Sequence, residues 1–280
     1  MKLVTYLSGD VERLGALEDD HIVDLSEIAP DMTSLIRTGK NSLEKARRVL
    51  AASQRPERPL TSGQLLSPLP RPLRVLGVGR NYPAHANEAG VGRQEKPRIF
   101  VKLSTSVIGS GAVIQRPSHV SKMDYEIELA VVIGRQARDL AREEALDAVY
   151  GYTIANDVSA RELQLDVSPP QTSFGKSSDG FCPLGPAVVP REEMDWQGLR
   201  MRTWVNGELR QDDTTESMIF DVPTIISHVS GIVSLDAGDV ILTGTPAGVG
   251  AFQDPPRYLD PGDTIAMEIE GIGRLVNTIG

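Results

Sequence analysis

Apolar and polar positions alternate in short runs along most of this chain, and only a few stretches show the spacing of a helix. KLVTYL and HIVDL, separated by the polar SGD and EDD, predict a small β unit over residues 1 to about 30. From Met32 to about Ser53, Leu35, Ile36, Leu43, Ala46, Val49 and Leu50 recur at helical spacing, with Gly39 as an interruption. Residues Arg55 to Pro72 hold five of the 19 prolines (Pro56, Pro59, Pro68, Pro70, Pro72), each of which fixes φ and removes a backbone donor. A boundary is therefore expected there, between a small α/β N-terminal domain, 1–70, and a larger domain, 71–280. Past Leu73, short β-branched runs dominate: RVLGVG, RIFVK, AVIQR, EIELAVVIG, YTIAND, AVVP, RTWVNG, DVILTG and TIAMEIEG. Helical patterns interrupt them only near His85, near Arg142 to Ala148 and near Val222 to Val233. The regular strand and helix alternation of a doubly wound sheet is missing, so a mixed α+β fold built on β-sheets is predicted.

Composition narrows the function classes more than the fold. With 280 residues, 40% hydrophobic and 24% charged, the chain can bury a large core without staples. A net charge of -9 disfavours broad attraction to nucleic acid or to anionic membranes, so an anionic ligand needs a local site. Cys182 is the single cysteine, which rules out an intrachain disulfide and zinc-type cysteine spacing. The start, MKLVTYLSGD, reaches polar residues too early for a signal peptide, and no apolar run approaches membrane-spanning length. A cytoplasmic protein is expected.

Within MDYEIELAVVIG, Glu126 and Glu128 are two apart in a strand candidate. They project to one side while Ile127 and Leu129 project to the other. Asp157 follows a second strand candidate, where apolar residues give way to polar ones. Three carboxylates with no neighbouring His or Cys suit a hard cation, Mg²⁺ or Mn²⁺, with Ca²⁺ also accommodated, and are unsuited to zinc or copper. The same spacing also fits the wet face of a half-exposed strand, with Asp157 capping the following helix. Asp124 shares the strand face but stands outside the ligand set. In GVGRNYPAHANEAG, His85 and Glu88 are i and i+3 on a short helical pattern, so Glu88 can orient the imidazole and raise its basicity, unless the pair is an ordinary surface contact. His21, His119 and His228 lie in structural or solvated contexts.

Together these residues resemble the fumarylacetoacetate hydrolase family over about residues 72 to 278. The matching pieces run in the family's order: NYPAH with Glu88, IFVKLSTSVIG, DYEIELAVVIG, NDVSARELQ, FGKSSDGFCPLGP, VNGELRQ and ILTGTPAGVG. The resemblance implies a β-roll or β-sandwich catalytic domain, a homodimer, and a metal ion held by Glu126, Glu128 and Asp157. It further implies that Lys176 and Gln164 contact the substrate and that Thr245 receives its carboxylate. Lys102 is a weaker candidate for the substrate, since a lysine at the end of an apolar strand often only snorkels. Many small members have Asp directly before the histidine, where this chain has Ala84, and the fourth carboxylate of larger members is missing.

The activity this resemblance implies first is hydrolytic cleavage of a carbon-carbon bond in an acylpyruvate-type 2,4-dioxo acid, with water activated by His85 and Glu88. Decarboxylation of oxaloacetate, or isomerase, hydratase or lyase chemistry on a 2-oxo acid, would use the same metal site. A non-catalytic metal or carboxylate binder is the alternative from a different class.

Overall fold

The computed structural model describes residues 1–18, 21–52, 65–90, 92 and 94–280, together with the backbone of 58–59. Pro56 and the expected helix end at Ser53 lie outside the described residues. The fold is mixed α+β, as the alternating runs predicted. An eleven-stranded sheet has the order Arg58–Pro59, His21–Asp24, Val11–Glu18, Lys2–Ser8, Cys182–Pro190, Val149–Asn156, Ile127–Ile133, Val240–Leu242, Val75–Gly79 and Arg98–Lys102, with Val107–Ile108 added beside Cys182–Pro190. A five-stranded sheet runs Glu208–Thr214, Arg200–Val205, Thr264–Ile269, Gly273–Ile279 and Val113–Ile114.

Strand Ile127–Ile133 lies at the centre and is buried on both faces. Ile127, Leu129, Val131 and Ile133 join a core with Met201, Val205, Ile265, Met267, Ile269 and Leu275 from the second sheet. Ala130 and Val132 face a separate core with Leu35, Ile36 and Leu43 from the N-terminal helices and with Leu3, Leu184 and Val188. Those helices are Met32–Thr38 and Lys40–Ala52, broken at Gly39, and Asp31 caps the first by accepting from the Ser34 N–H at 2.7 Å. Among the described residues no helix is long and apolar enough to cross a membrane.

Two strands carry no apolar run of the kind that predicts one. Glu208–Thr214, ELRQDDT, is a sheet edge reached through Asn206 and Gly207 at φ 51 and 81, the positive pair that a two-residue hairpin turn requires. Gly273–Ile279 alternates, with Arg274, Val276 and Thr278 on its more exposed side and the polar Asn277 among its buried positions.

Register brings several strand ends to one edge of the large sheet. Ile127 pairs with Asn156, Ala130 with Leu242, and Leu242 with Gly77. The start of Ile127–Ile133 therefore lies beside the ends of Val149–Asn156, Val240–Leu242 and Val75–Gly79, and the chemistry-bearing side chains follow from those ends.

Candidate active site

The strand pairing explains how residues 31 apart in sequence meet. Because Ile127 pairs with Asn156, the next residue, Asp157, lies against Glu126, and its N–H donates to the Glu126 carbonyl at 2.9 Å. The Asn156 side chain accepts from the Glu126 N–H at 3.1 Å, which holds the two strand ends in step. Carboxylate oxygens of Glu126, Glu128 and Asp157 all lie within 4.8 Å of one another. The wet-face alternative fails on burial: Glu126 is 4% exposed, Glu128 1% and Asp157 0%. Capping fails too, since the helix Arg161–Leu165 begins after Ala160 with no side-chain cap, while both Asp157 oxygens are held by lysines.

Three cations neutralise this cluster, and the sequence marked only one of them strongly. Lys176 donates to Glu126 Oε2 at 2.8 Å, Asp157 Oδ2 at 2.5 Å and Ser159 Oγ at 2.8 Å. Lys102 does not snorkel; it is fully buried behind Asp157, donating to Oδ1 at 2.6 Å, and is not part of the cavity wall. Arg161 pairs with Glu126 Oε1 at 2.8 Å and with Asp124 Oδ2 at 2.8 Å, and donates to Gln164 Oε1 at 2.6 Å. Asp124 also accepts the Gly250 and Ala251 N–H groups at 2.8 and 3.0 Å, so it fixes Arg161 and the loop beside it rather than joining the ligand set.

Burial pushes the Glu126 carboxyl upward, but the charges of Lys176 and Arg161 outweigh it and hold the group well below the usual carboxylate range. Lys176 is likewise held cationic: burial opposes its charge, and Asp157 and Glu126 more than restore it. Glu128 behaves oppositely. Burial and the neighbouring charges of Asp157 and Glu126 push it well above its ordinary value. Its one hydrogen bond among the described residues is from the Gly244 N–H at 2.5 Å, and no cationic side chain pairs with it. A buried acid that faces two carboxylates with no direct ion-pair partner is what a divalent cation would relieve, so the donor set fits a hard metal ion. Gly244 sits at φ 98, where a β-carbon would lie 2.6 Å from that of Asn81, so this close backbone approach needs glycine.

His85 stands on the helix Pro83–Glu88, 6% exposed, with Nδ1 2.8 Å from Glu88 Oε1. Glu88 is held in turn by the Gly248 N–H at 3.1 Å, and the Phe252 ring lies 6.0 Å from the imidazole. This is no ordinary surface pair. His85, Glu126, Glu128, Lys176, Gln164 and Thr245 all line one cavity of about 170 Å³. Thr245 is positioned by Gln211, whose amide donates to Thr245 Oγ1 at 2.9 Å and to the Pro246 carbonyl at 3.0 Å, while its oxygen accepts the Ile127 N–H at 3.2 Å. Phe100 supplies an apolar wall under Lys176, 5.1 Å from its Nζ, and Gly77 leaves room for that ring, since a β-carbon there would meet it at 2.1 Å. Arg161, Gln211 and Phe100 were not singled out from the sequence, although ARELQ, VNGELRQ and RIFVK contain them.

Residues 74–280 match the family model described as fumarylacetoacetate (FAA) hydrolase C-terminal. The chain belongs to the fumarylacetoacetate hydrolase family. A human relative of this family, the mitochondrial oxaloacetate tautomerase FAHD2A, is 41% identical over 89% of this chain and 79% of its own length. Among solved members, the fumarylacetoacetate hydrolase of the psychrophilic Exiguobacterium antarcticum is 40% identical, covers 100% of this chain and 99% of its own, and superposes with a TM-score of 0.86. The maleylpyruvate hydrolase of Sphingobium sp. SYK-6, solved with manganese(II) and pyruvate, is 29% identical with a TM-score of 0.84, covering 100% and 98% of the two chains. The family's fold thus accommodates isomerising and bond-cleaving members alike, and the choice between them falls to the site.

Proposed function

We propose that this chain transfers a proton at the carbon beside the 2-oxo group of a small 2-oxo acid, tautomerising oxaloacetate between its keto and enol forms. The observation that carries this reading is the placement of His85, fixed by Glu88, in one cavity with Glu126 and Glu128, the two members of the carboxylate cluster that line it. Glu126, Glu128 and Asp157 would hold Mg²⁺ or Mn²⁺. Such an ion, when bound, supplies Lewis-acid stabilisation of the negative charge that builds on the 2-oxo oxygen, worth several kcal/mol.

The Gln164 amide N–H and the Thr245 hydroxyl orient the carboxylate end of the substrate by hydrogen bonds, and Lys176, whose three N–H donors go to Glu126, Asp157 and Ser159, adds its positive charge beside it. With Nδ1 committed to Glu88, Nε2 of His85 is the nitrogen left to take the proton from carbon, and the electron pair of the broken C–H bond moves towards the 2-oxo oxygen. Glu88 stabilises the imidazolium, which then returns the proton to oxygen. Phe252 and Phe100 keep the site poor in water, which strengthens each of these interactions. A cavity of about 170 Å³ is small beside drug-sized pockets, in keeping with a compact acid.

Hydrolysis of an acylpyruvate is the second reading. It draws on the same His85–Glu88 pair acting on water and on the maleylpyruvate hydrolase likeness. One series separates the two: the Mn²⁺-loaded protein is given enol-oxaloacetate, acetylpyruvate and fumarylpyruvate, and the products are identified. The proposal expects faster loss of the enol with no release of pyruvate or CO₂. Pyruvate and a second acid formed from an acylpyruvate, without acceleration of the oxaloacetate equilibrium, would establish hydrolysis instead. Unchanged Mn²⁺ binding in a Glu126→Ala, Glu128→Ala double variant would remove the site on which both readings depend.

A further inference from the structure

The outer end of the cavity has a cationic rim that proton transfer does not use. Gly79 pairs with Arg98 across adjacent antiparallel strands, Arg80 follows Gly79 directly, and both arginines line the cavity that holds His85, Glu126 and Glu128. Arg98 is exposed and Arg80 half-buried, whereas Glu126, Glu128 and Lys176 are buried, so the carboxylates form the floor and the arginines the mouth. Arg161, the third guanidinium of the cavity, is neutralised by Asp124 and Glu126. Among the described residues, Arg80 and Arg98 have no hydrogen-bonding or ion-pair partner for their side chains.

The backbone adds a second observation. Arg80 has φ 61, and among the described residues the other non-glycine residues with positive φ are Asp139 and Asn206, types that tolerate that conformation. Arginine is a less usual occupant of that region, and at this position its side chain lines the cavity. The two arginines also feel each other: burial depresses the basicity of Arg80, and the Arg98 charge depresses it further. An anion between them would relieve that repulsion.

We propose that Arg80 and Arg98 seat a second carboxylate of the substrate, so that the enzyme prefers 2-oxo diacids to 2-oxo monoacids. This rests on the 2-oxo acid reading above and adds how the far end is recognised. The 2-oxo end lies on the buried floor with Lys176, and the distal carboxylate meets the planar guanidinium donors at the mouth, a geometry suited to paired N–H···O bonds.

Calorimetric titration of the Mn²⁺-loaded, full-length protein with 2-oxopentanedioate and with 2-oxopentanoate, acids of equal chain length, isolates the second carboxylate. The parent should bind the diacid about tenfold more tightly or better. Arg98→Gln and Arg80→Asn, the latter keeping a residue tolerant of the left-handed backbone, should each erode that preference several-fold. The double variant should bind both acids alike, with monoacid and oxalate affinities close to the parent's. Equal affinities in the parent, or variants that weaken both acids together, would overturn the arginine seat while leaving the 2-oxo acid reading intact. If the Mn²⁺-loaded parent bound neither acid nor oxalate, that reading would fail and the arginine seat with it.

Discussion

Lys176→Met tests the charge balance on which the site depends. The ammonium lies 2.8 Å from Glu126 Oε2 and 2.5 Å from Asp157 Oδ2, with the carboxylates and the lysine side chain all nearly inaccessible to solvent. Methionine fills similar space without charge, leaving three buried carboxylates against Lys102 and Arg161 alone. Removing one partner of a buried pair costs roughly 3–5 kcal/mol, and proton uptake by a carboxylate returns part of it, so a loss near the lower end, about 3 kcal/mol, is expected. For a domain of this size each kcal/mol moves the melting temperature by roughly 2–3 °C, giving a fall of about 6–9 °C in EDTA. Saturating Mn²⁺ should restore most of it, and the Mn²⁺-induced rise should be larger in the variant than in the parent, because a cation replaces the lost charge. Scanning calorimetry of both proteins, with EDTA and with Mn²⁺, measures all four values. A variant melting within about 2 °C of the parent in EDTA, or gaining no more from Mn²⁺, would refute the electrostatic account.

Further predictions follow from the supporting residues. His85→Ala should lower turnover by roughly 10²–10⁴ while Mn²⁺ binding persists, as kinetics and calorimetry on one preparation would show; lost metal binding would mean the imidazole serves the carboxylates instead. Gln211→Leu leaves Thr245 Oγ1, the Pro246 carbonyl and the Ile127 N–H without their partner, and should cost roughly 1–3 kcal/mol in urea unfolding, with weakened substrate affinity. Unaltered affinity would show that Thr245 needs no such brace. Asp221 caps the helix Val222–Ser230 by accepting the Thr224 N–H at 2.9 Å. Burial works against its charge, but the Thr224 hydrogen bonds and Arg142 outweigh it and lower its pKa. Its contribution is therefore present above its ordinary titration range and lost as pH falls through the depressed value. Asp221→Ala should cost about 1 kcal/mol at neutral pH and less in acid; an equal loss at both would contradict the assignment.

Much of the fold was legible because buried strands need apolar runs. KLVTYL, YTIAND and the unbroken run after Glu128 mark strands buried at successive positions, with both faces dry. Where a strand lies at an edge, as ELRQDDT does, nothing forces its residues to be apolar, and only the Asn-Gly turn and its partner strand disclose it. The two glutamates presented a related ambiguity. Alternation put them on one face, but a wet face and a buried site have the same spacing, and only their near-zero exposure distinguishes the two.

What the sequence by itself determined was the inventory: three carboxylates, a histidine with a glutamate one helical turn later, and collinear motifs that marked the family. Local spacing and motif order suffice for that, since each element is written within a few residues. What only the tertiary structure decided was the assembly. The Ile127–Asn156 register carries Asp157 to Glu126, Lys102 turns inward to Asp157 rather than outward to solvent, Arg161 links Asp124 to Glu126, and Arg80 meets Arg98 at the mouth. These are contacts between distant segments, and their energies depend on burial and charge that no short stretch of sequence contains.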